Sequence, residues 1–355
     1  MVFSTLLANL LKSLSILTWG NLLMLVIGAG LIAAGIAGRR RLLLLIPLGF
    51  GCILANLGAA SQHGAFTLLA EAGLQSGLFP ILILAGLGTS LDLSPLLRYP
   101  RTVILSAAGQ FGIYVPLIFA TLLGYSLGDA AAIGMIGAMS WPAAVYVASR
   151  LSPGLLPLIA ILAYAFLALV SRIRPLLVDT ALPASAAGAL PAEAPQPTPG
   201  WVLAAFPFGI TVLAGIFAPP AAPLVGVFML GNLLRIAGQD NRLLKIVQNE
   251  LSSGSLLLLG LAAGTTMAAS SILSLGTLKV LVLGLIALLL DLLGAILITR
   301  VTGVRLFDLL PTGNPDSGGD EAANPDGQPA GVRAALQLGA VIAGGVLLAV
   351  IAAAG

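Results

Sequence analysis

One carboxylate sits where it can hardly be idle. Asp291 lies inside the apolar stretch from Val280 to Ile298, and an ionised acid at that depth in lipid is costly unless a partner or water meets it. It must be paired, protonated or wetted. Two roles stay open: a proton or ion ligand, or contact to a basic residue of a neighbouring subunit, against a protonated or snorkelling side chain at a bend. Asp92, in Gly88-Thr89-Ser90-Leu91-Asp92-Leu93-Ser94-Pro95, reads first as a helix-end cap or turn residue and only second as part of an ion path. Asn232 and Asn249 follow apolar segments, with Arg235, Arg242 and Lys245 nearby, the pattern of anchors at a cytoplasmic interface. His63 reads as a solvated loop residue. A single cysteine, Cys52, makes no internal disulfide, and one histidine cannot assemble a zinc site. No stretch pairs a nucleophile with its base, and the glycine-rich runs do not follow strands as phosphate loops require.

The elements that must carry these residues are hydrophobic. Of 355 residues 59% are hydrophobic and only 8% charged, about a third of the share in a soluble domain. That excludes a soluble enzyme and a nucleic-acid binder. The expected fold is all-α: a polytopic transmembrane helical protein of about eight to ten spans, at roughly 20 apolar residues per crossing. Apolar segments run from Trp19 to Gly38, Leu42 to Leu57, Leu78 to Leu91, Thr102 to Tyr125, Ala130 to Ser149, Leu155 to Leu169, Val202 to Ala218, Ala221 to Leu234, Ser255 to Ala269, Leu275 to Thr299 and Ala334 to Ala354. Several are too short to cross and contain Pro or Gly, which predicts broken or re-entrant helices. Most of the 43 glycines simply let helices approach.

The chain divides into an interfacial N-terminal segment (1–18), a first membrane half (19–178), a Pro/Ala-rich linker (179–200), a second membrane half (201–310), a hydrophilic linker (311–333) and a C-terminal membrane helix (334–355). Two halves with their own spans are compatible with two structural repeats, without residue-level similarity that asserts them. Arg39, Arg40 and Arg41 form the densest positive cluster, so the positive-inside rule puts this loop in the cytoplasm. A bacterial inner membrane is the expected location.

From Leu42 onward the residues resemble the membrane-embedded β subunit of the biotin-dependent sodium-translocating decarboxylases that act on oxaloacetate, glutaconyl-CoA, methylmalonyl-CoA or malonate. The stretches that carry the resemblance are Leu42 to Gly51, Gly86 to Leu97, Pro100-Arg101-Thr102 and Ala107 to Ile113. They continue through Ala130 to Gly137, Gly231 to Arg235, Val247-Gln248-Asn249 and Leu259 to Leu261. They cover roughly Leu42 to Arg305. The resemblance implies a trimer-forming subunit with inverted repeats and an elevator-like core, which decarboxylates carboxybiotin and couples that step to sodium export.

Against that pattern the chain departs at three places. Where the family carries Ala-Asp-Gly-Pro, this sequence reads Met139-Ser140-Trp141-Pro142; serine offers a neutral oxygen but no charge to offset desolvation of a cation. The family's Tyr-Ser-Tyr becomes Tyr164-Ala165-Phe166, keeping a ring and losing a hydroxyl. The tract Pro311 to Arg333 stands where the family has a second re-entrant element and a Gly-Pro-Asn helix. Asp291 stands where the family pattern has a small residue. The ion-pathway candidates are therefore Ser140, Tyr164, Asp291 and Asp92, with no catalytic residue and no metal ligand assigned. The expectation is an accessory or structural subunit of a larger membrane complex, built on the β-subunit fold after loss of its chemistry, and not itself an enzyme. The alternatives are an active sodium-translocating β subunit with a rearranged site, or an elevator-type anion or carboxylate transporter. The chain binds no cofactor of its own; sodium and partner-borne biotin enter only if it pumps. The expected partners are other membrane subunits, a homotrimer or biotin-carrier and carboxyltransferase subunits, and the bilayer.

Overall fold

The computed structural model describes residues 18–37, 44–57, 64–98, 110–138, 140–166, 198–238, 242–302 and 330–354. Residues 1–17, Arg39–Arg41, His63 and most of both linkers lie outside them. Among the described residues every regular element is helical. In chain order they are α1 (Trp19–Ala37), α2 (Leu45–Asn56), α3 (Ala65–Gln75), α4 (Leu78–Ser90), α5 (Ser94–Arg98), α6 (Phe111–Leu122) and α7 (Leu127–Ala138). After them come α8 (Trp141–Leu151), α9 (Leu156–Phe166), α10 (Gly200–Phe217), α11 (Ala222–Ile236), α12 (residues 242–265), α13 (Ala269–Ile272), α14 (Leu275–Thr302) and α15 (Ala330–Ala354). The last helix starts at Ala330, inside the stretch read from sequence as linker.

Among the described residues four helices are long and apolar enough to cross a membrane, or five if the bent pair α3–α4 counts as one span, and α2, α6, α7 and α9 are shorter apolar helices. The short ones reflect sequence punctuation. At the α3–α4 junction the axis turns by 51° at Gly77, whose φ of +76° is a left-handed conformation that a residue with a Cβ adopts only at a cost. The apolar segment from Ala130 to Ser149 is not one helix: α7 tightens into a 3₁₀ turn at Met135–Ala138, and α8 restarts at Trp141 with Pro142 in its first turn, where a missing N–H costs nothing. Ser126 caps α7 by accepting from the Asp129 N–H at 3.1 Å, and Ser274 caps α14 by accepting from the Thr277 N–H at 3.2 Å.

The packing reveals an internal repeat. Pro223, Leu224, Leu230, Asn232 and Leu233 each follow Pro47, Leu48, Leu54, Asn56 and Leu57 by 176 residues, and Gly264-Thr265 follow Gly88-Thr89 by the same interval. The two π-helical turns, Ala70–Gln75 and Ile246–Leu251, are separated by that spacing too. Helices pack in the succession α1, α2, α12, α4, α11, α10, which reads the same from either end once the repeats are exchanged. The contacts are reciprocal. Asn56 of the first repeat donates to the Met267 carbonyl at 2.8 Å, while Asn232 of the second donates to the Leu91 carbonyl at 2.7 Å, and Met267 is itself 176 residues after Leu91. Such self-complementary pairing is what a two-fold relation between two units requires. Gly88 and Gly264 occupy close crossings: a Cβ would lie 2.0 Å from the Phe228 oxygen in one case and 2.2 Å from the Leu48 oxygen in the other. Small residues at such crossings are the means by which membrane helices pack without a hydrophobic driving force.

A second layer joins α6, α7, α8, α14 and α15 to this core. α6 packs on α7 and α14, and α8 packs on α4, α7 and α15.

Candidate functional site

The break between α7 and α8 is a place where backbone departs from helix inside the packed core. Ala138, Ser140 and Trp141 are all nearly inaccessible. Ser140 has φ −125° and ψ 86°, so it cannot extend either helix; its carbonyl accepts the Ala144 N–H at 2.9 Å and starts α8. Its Oγ has no hydrogen-bond partner among the described residues. A buried hydroxyl without a partner costs about 1–3 kcal/mol. Trp141 turns onto Tyr164 of α9, ring centroids 5.7 Å apart and planes at 85°, an edge-to-face arrangement suited to aromatic quadrupoles. Tyr164 is fully buried, and its Oη accepts from the Leu44 N–H at 3.4 Å, meeting one of the donors left over at the start of α2. The phenol therefore has a structural duty.

The buried polar side chains among the described residues are Asn, Gln, Ser and Thr, with no charged group. Among the described residues no three His, Cys, Asp or Glu side chains gather as metal ligands. The break thus offers one hydroxyl, one phenol already engaged, and an indole filling the space beside them. It can hold polar groups in place; by itself it presents no negative charge to a cation.

The described side chains bring two of the four sequence candidates together. Ser140 and Tyr164 are linked through Trp141. Asp92 makes its polar contacts elsewhere: Oδ1 accepts from the Ser94 N–H at 3.0 Å, and Oδ2 lies 3.7 Å from Nη2 of Arg235, with both side chains partly exposed. That geometry closes an Asx turn and pins the α4–α5 corner to α11, an ion pair of modest worth at this exposure. Arg235 also donates from Nη1 to the Ser90 carbonyl at 3.3 Å. Asp291 is on α14, about two turns beyond Gly284, where the helix crosses Phe166 and Ile136; its side-chain surroundings lie outside the described residues.

Two residues matter more than the sequence suggested. Asn232, read as an interfacial anchor, is buried and holds the end of α4; of the basic neighbours that suggested an interface, Arg235 lies one turn further along α11, and Arg242 and Lys245 belong to α12. Asn56, not singled out, donates to Cys52 and Met267 carbonyls and accepts from the Ala269 N–H at 3.1 Å, closing the gap between α12 and α13. The constant 176-residue interval between the two asparagines was the signal available.

A family model described as Na+-transporting oxaloacetate decarboxylase beta subunit matches residues 20–309. The chain is 36% identical to glutaconyl-CoA decarboxylase subunit beta of Acidaminococcus fermentans over 76% of this chain and 72% of that protein. It is 34% identical to methylmalonyl-CoA decarboxylase subunit beta of Veillonella parvula over 80% of this chain and 76% of the relative. A third relative, the probable oxaloacetate decarboxylase beta chain of Pasteurella multocida, is 32% identical over 79% of each chain.

Proposed function

Because the chain belongs to the Na+-transporting oxaloacetate decarboxylase beta subunit family and is an integral membrane protein, we propose that it is a scaffold built on that fold. In this reading it has given up decarboxylation and sodium transfer and serves as an accessory subunit of a larger membrane complex. The observation that carries the proposal is the uncharged α7–α8 break, where Ser140 lacks a partner and Trp141 occupies the space against Tyr164. A cation entering such a place sheds water and finds, among the described side chains there, a hydroxyl but no negative charge, an exchange that electrostatics disfavours. The family match also ends at residue 309, before the hydrophilic tract Pro311 to Arg333, which on the resemblance would replace a re-entrant element of the family. The bacterial inner membrane, with Arg39–Arg41 on its cytoplasmic side, is part of the same proposal.

The test has two arms. Affinity capture of the full chain from native membranes in mild detergent should recover other membrane subunits at fixed stoichiometry. Proteoliposomes of the captured assembly should take up radioactive sodium no faster than empty vesicles when supplied with carboxybiotin. Recovery of a biotinylated carrier and a carboxyltransferase together with carboxybiotin-dependent sodium movement would overturn the proposal. It would install the second reading, an active pump with a rearranged site, which the unpartnered Ser140 Oγ favours as a substitute ligand.

A further inference from the structure

Away from the α7–α8 break, α6 and α14 enclose a groove of about 350 Å3, within the size range of small-ligand sites. Phe119, Leu122 and Leu123 of α6 form one wall, and Val282 and Ile286 of α14 form the other. Lys279 is the one charged residue that lines it. The walls do not close over the groove: Leu122 is 77% exposed and Val282 48%. On a membrane protein such an opening faces lipid chains, which are as apolar as the lining and carry no unsatisfied polar group into it.

The cation decides which lipid. Lys279 lies in the second turn of α14, which begins at Leu275, and its side chain is exposed. From there a lysine stem runs along apolar surface and delivers its ammonium to the headgroup level. Tyr125 stands at the same end, its Oη donating to the Gly276 carbonyl at 3.4 Å, and tyrosine is at home at that depth. Asp129, on the neighbouring α7, is engaged by the hydroxyls of Ser126 and Ser152. Lys279 makes no ion pair among the described residues.

We propose that the α6–α14 groove is a binding site for one anionic phospholipid, with an acyl chain between the two helices and the headgroup phosphate against Lys279. A zwitterionic lipid can fill the same apolar groove, so the lysine sets a preference rather than occupancy. This inference stands independently of whether the chain pumps sodium.

The experiment is native mass spectrometry of the full-length chain in mild detergent, titrated with dioleoyl-phosphatidylglycerol or dioleoyl-phosphatidylcholine. The wild type should retain the anionic lipid preferentially. Lys279→Gln should lower that preference about fivefold, the order expected for losing one basic contact to an anionic surface, while Lys279→Arg should keep it. Lys245→Gln, which removes an exposed lysine on α12, should leave it unchanged. Val282→Trp, which fills the groove, should lower retention of both lipids. An unchanged preference in Lys279→Gln overturns the proposal, as does a wild type that retains neither lipid. A dimer that Val282→Trp dissociates would assign the groove to a second copy instead, and equally overturns it.

Discussion

Replacing Asn56 by Leu should destabilise the protein more than the equivalent change at Asn232, by a margin the hydrogen bonds set. Leucine nearly conserves the volume, so the change is mostly polar. At Asn56 it strips two buried groups of their partner: the Met267 carbonyl, 2.8 Å from Nδ2, and the Ala269 N–H, 3.1 Å from Oδ1. The Ala269 N–H belongs to the first turn of α13 and has no carbonyl of its own helix to use. Each stranded group costs about 1–3 kcal/mol, giving roughly 2–6 kcal/mol in total. The Cys52 carbonyl, the third contact of Asn56, sits within α2 and keeps a backbone donor, so its loss adds little. Among the described residues Asn232 donates to the Leu91 carbonyl at 2.7 Å, and the expected cost of losing that one contact is about 1–3 kcal/mol. Water cannot take over these contacts in a packed membrane interior. Thermal unfolding in mild detergent at one fixed scan rate, followed by circular dichroism, gives the ordering without assuming reversibility. Asn56→Leu should melt lowest, Asn232→Leu between it and wild type. An Asn56→Leu protein as stable as wild type, or the reverse order, would refute the reasoning that the two asparagines act as clamps between repeats.

Three further outcomes follow from single contacts. Ser140→Ala removes a buried hydroxyl that has no partner, so it should match or exceed wild type in the same melt, by up to about 1–3 kcal/mol. Tyr164→Phe keeps the ring against Trp141 but deletes the acceptor of the Leu44 N–H; a loss of about 1–3 kcal/mol is expected, seen as faster amide exchange at the start of α2. Asp92→Asn preserves the Oδ1 acceptor for Ser94 and discards the charge facing Arg235, so its cost should stay below about 1 kcal/mol and shrink further in high salt.

The helices themselves were legible because lipid leaves so few options. Nearly every apolar segment read from the sequence contains a helix, and Gly77 and Pro142 stand where helices turn or restart. What was harder to read is whatever depends on contacts between distant segments. The run Ala130 to Ser149 looks continuous in hydropathy, since Met135 to Ala138 are as apolar as their neighbours; the 3₁₀ turn there reflects packing against α6 and α14, not composition. Asn232 misled because three basic residues follow it, and the local charge pattern said interface although the side chain points back to the end of α4. The repeat hid for a different reason. Membrane helices draw on so few residue types that a match of Leu to Leu means little, and only the rarer Pro, Asn and Gly-Thr, held to one interval, stand above that background. Ser140 and Tyr164 were found only through family resemblance, and their neighbour Trp141 is what links them in space.

Restoring the missing charge offers the sharpest test of whether a cation site persists. Ser140→Asp places a carboxylate where the side chain is buried, where its hydroxyl predecessor had no donor, and where Trp141 fills the adjacent volume. With no described charged partner in that region, the acid should cost several kcal/mol, as an unpaired intramembrane carboxylate does, and the variant should melt well below wild type. The informative comparison is then between sodium and potassium. If the fold retains the remaining ligands of an ion site, sodium binds the acid in the folded state only and restores stability by mass action, with a dependence on its concentration that potassium at equal ionic strength does not share. A scaffold that has lost the site has nothing to complete the coordination shell, so the two salts should act alike, through screening alone. Opening space with Ser140→Asp in a Trp141→Gly background separates the two obstacles: equal effects of sodium and potassium in both proteins uphold the scaffold reading, because neither charge nor room was then the one missing part. Sodium-selective rescue in the double variant alone would mean that Trp141 is a plug over an otherwise intact site. Sodium-selective rescue in Ser140→Asp itself would refute the scaffold reading outright, since a single carboxylate would have been all that stood between this chain and an ion-binding core.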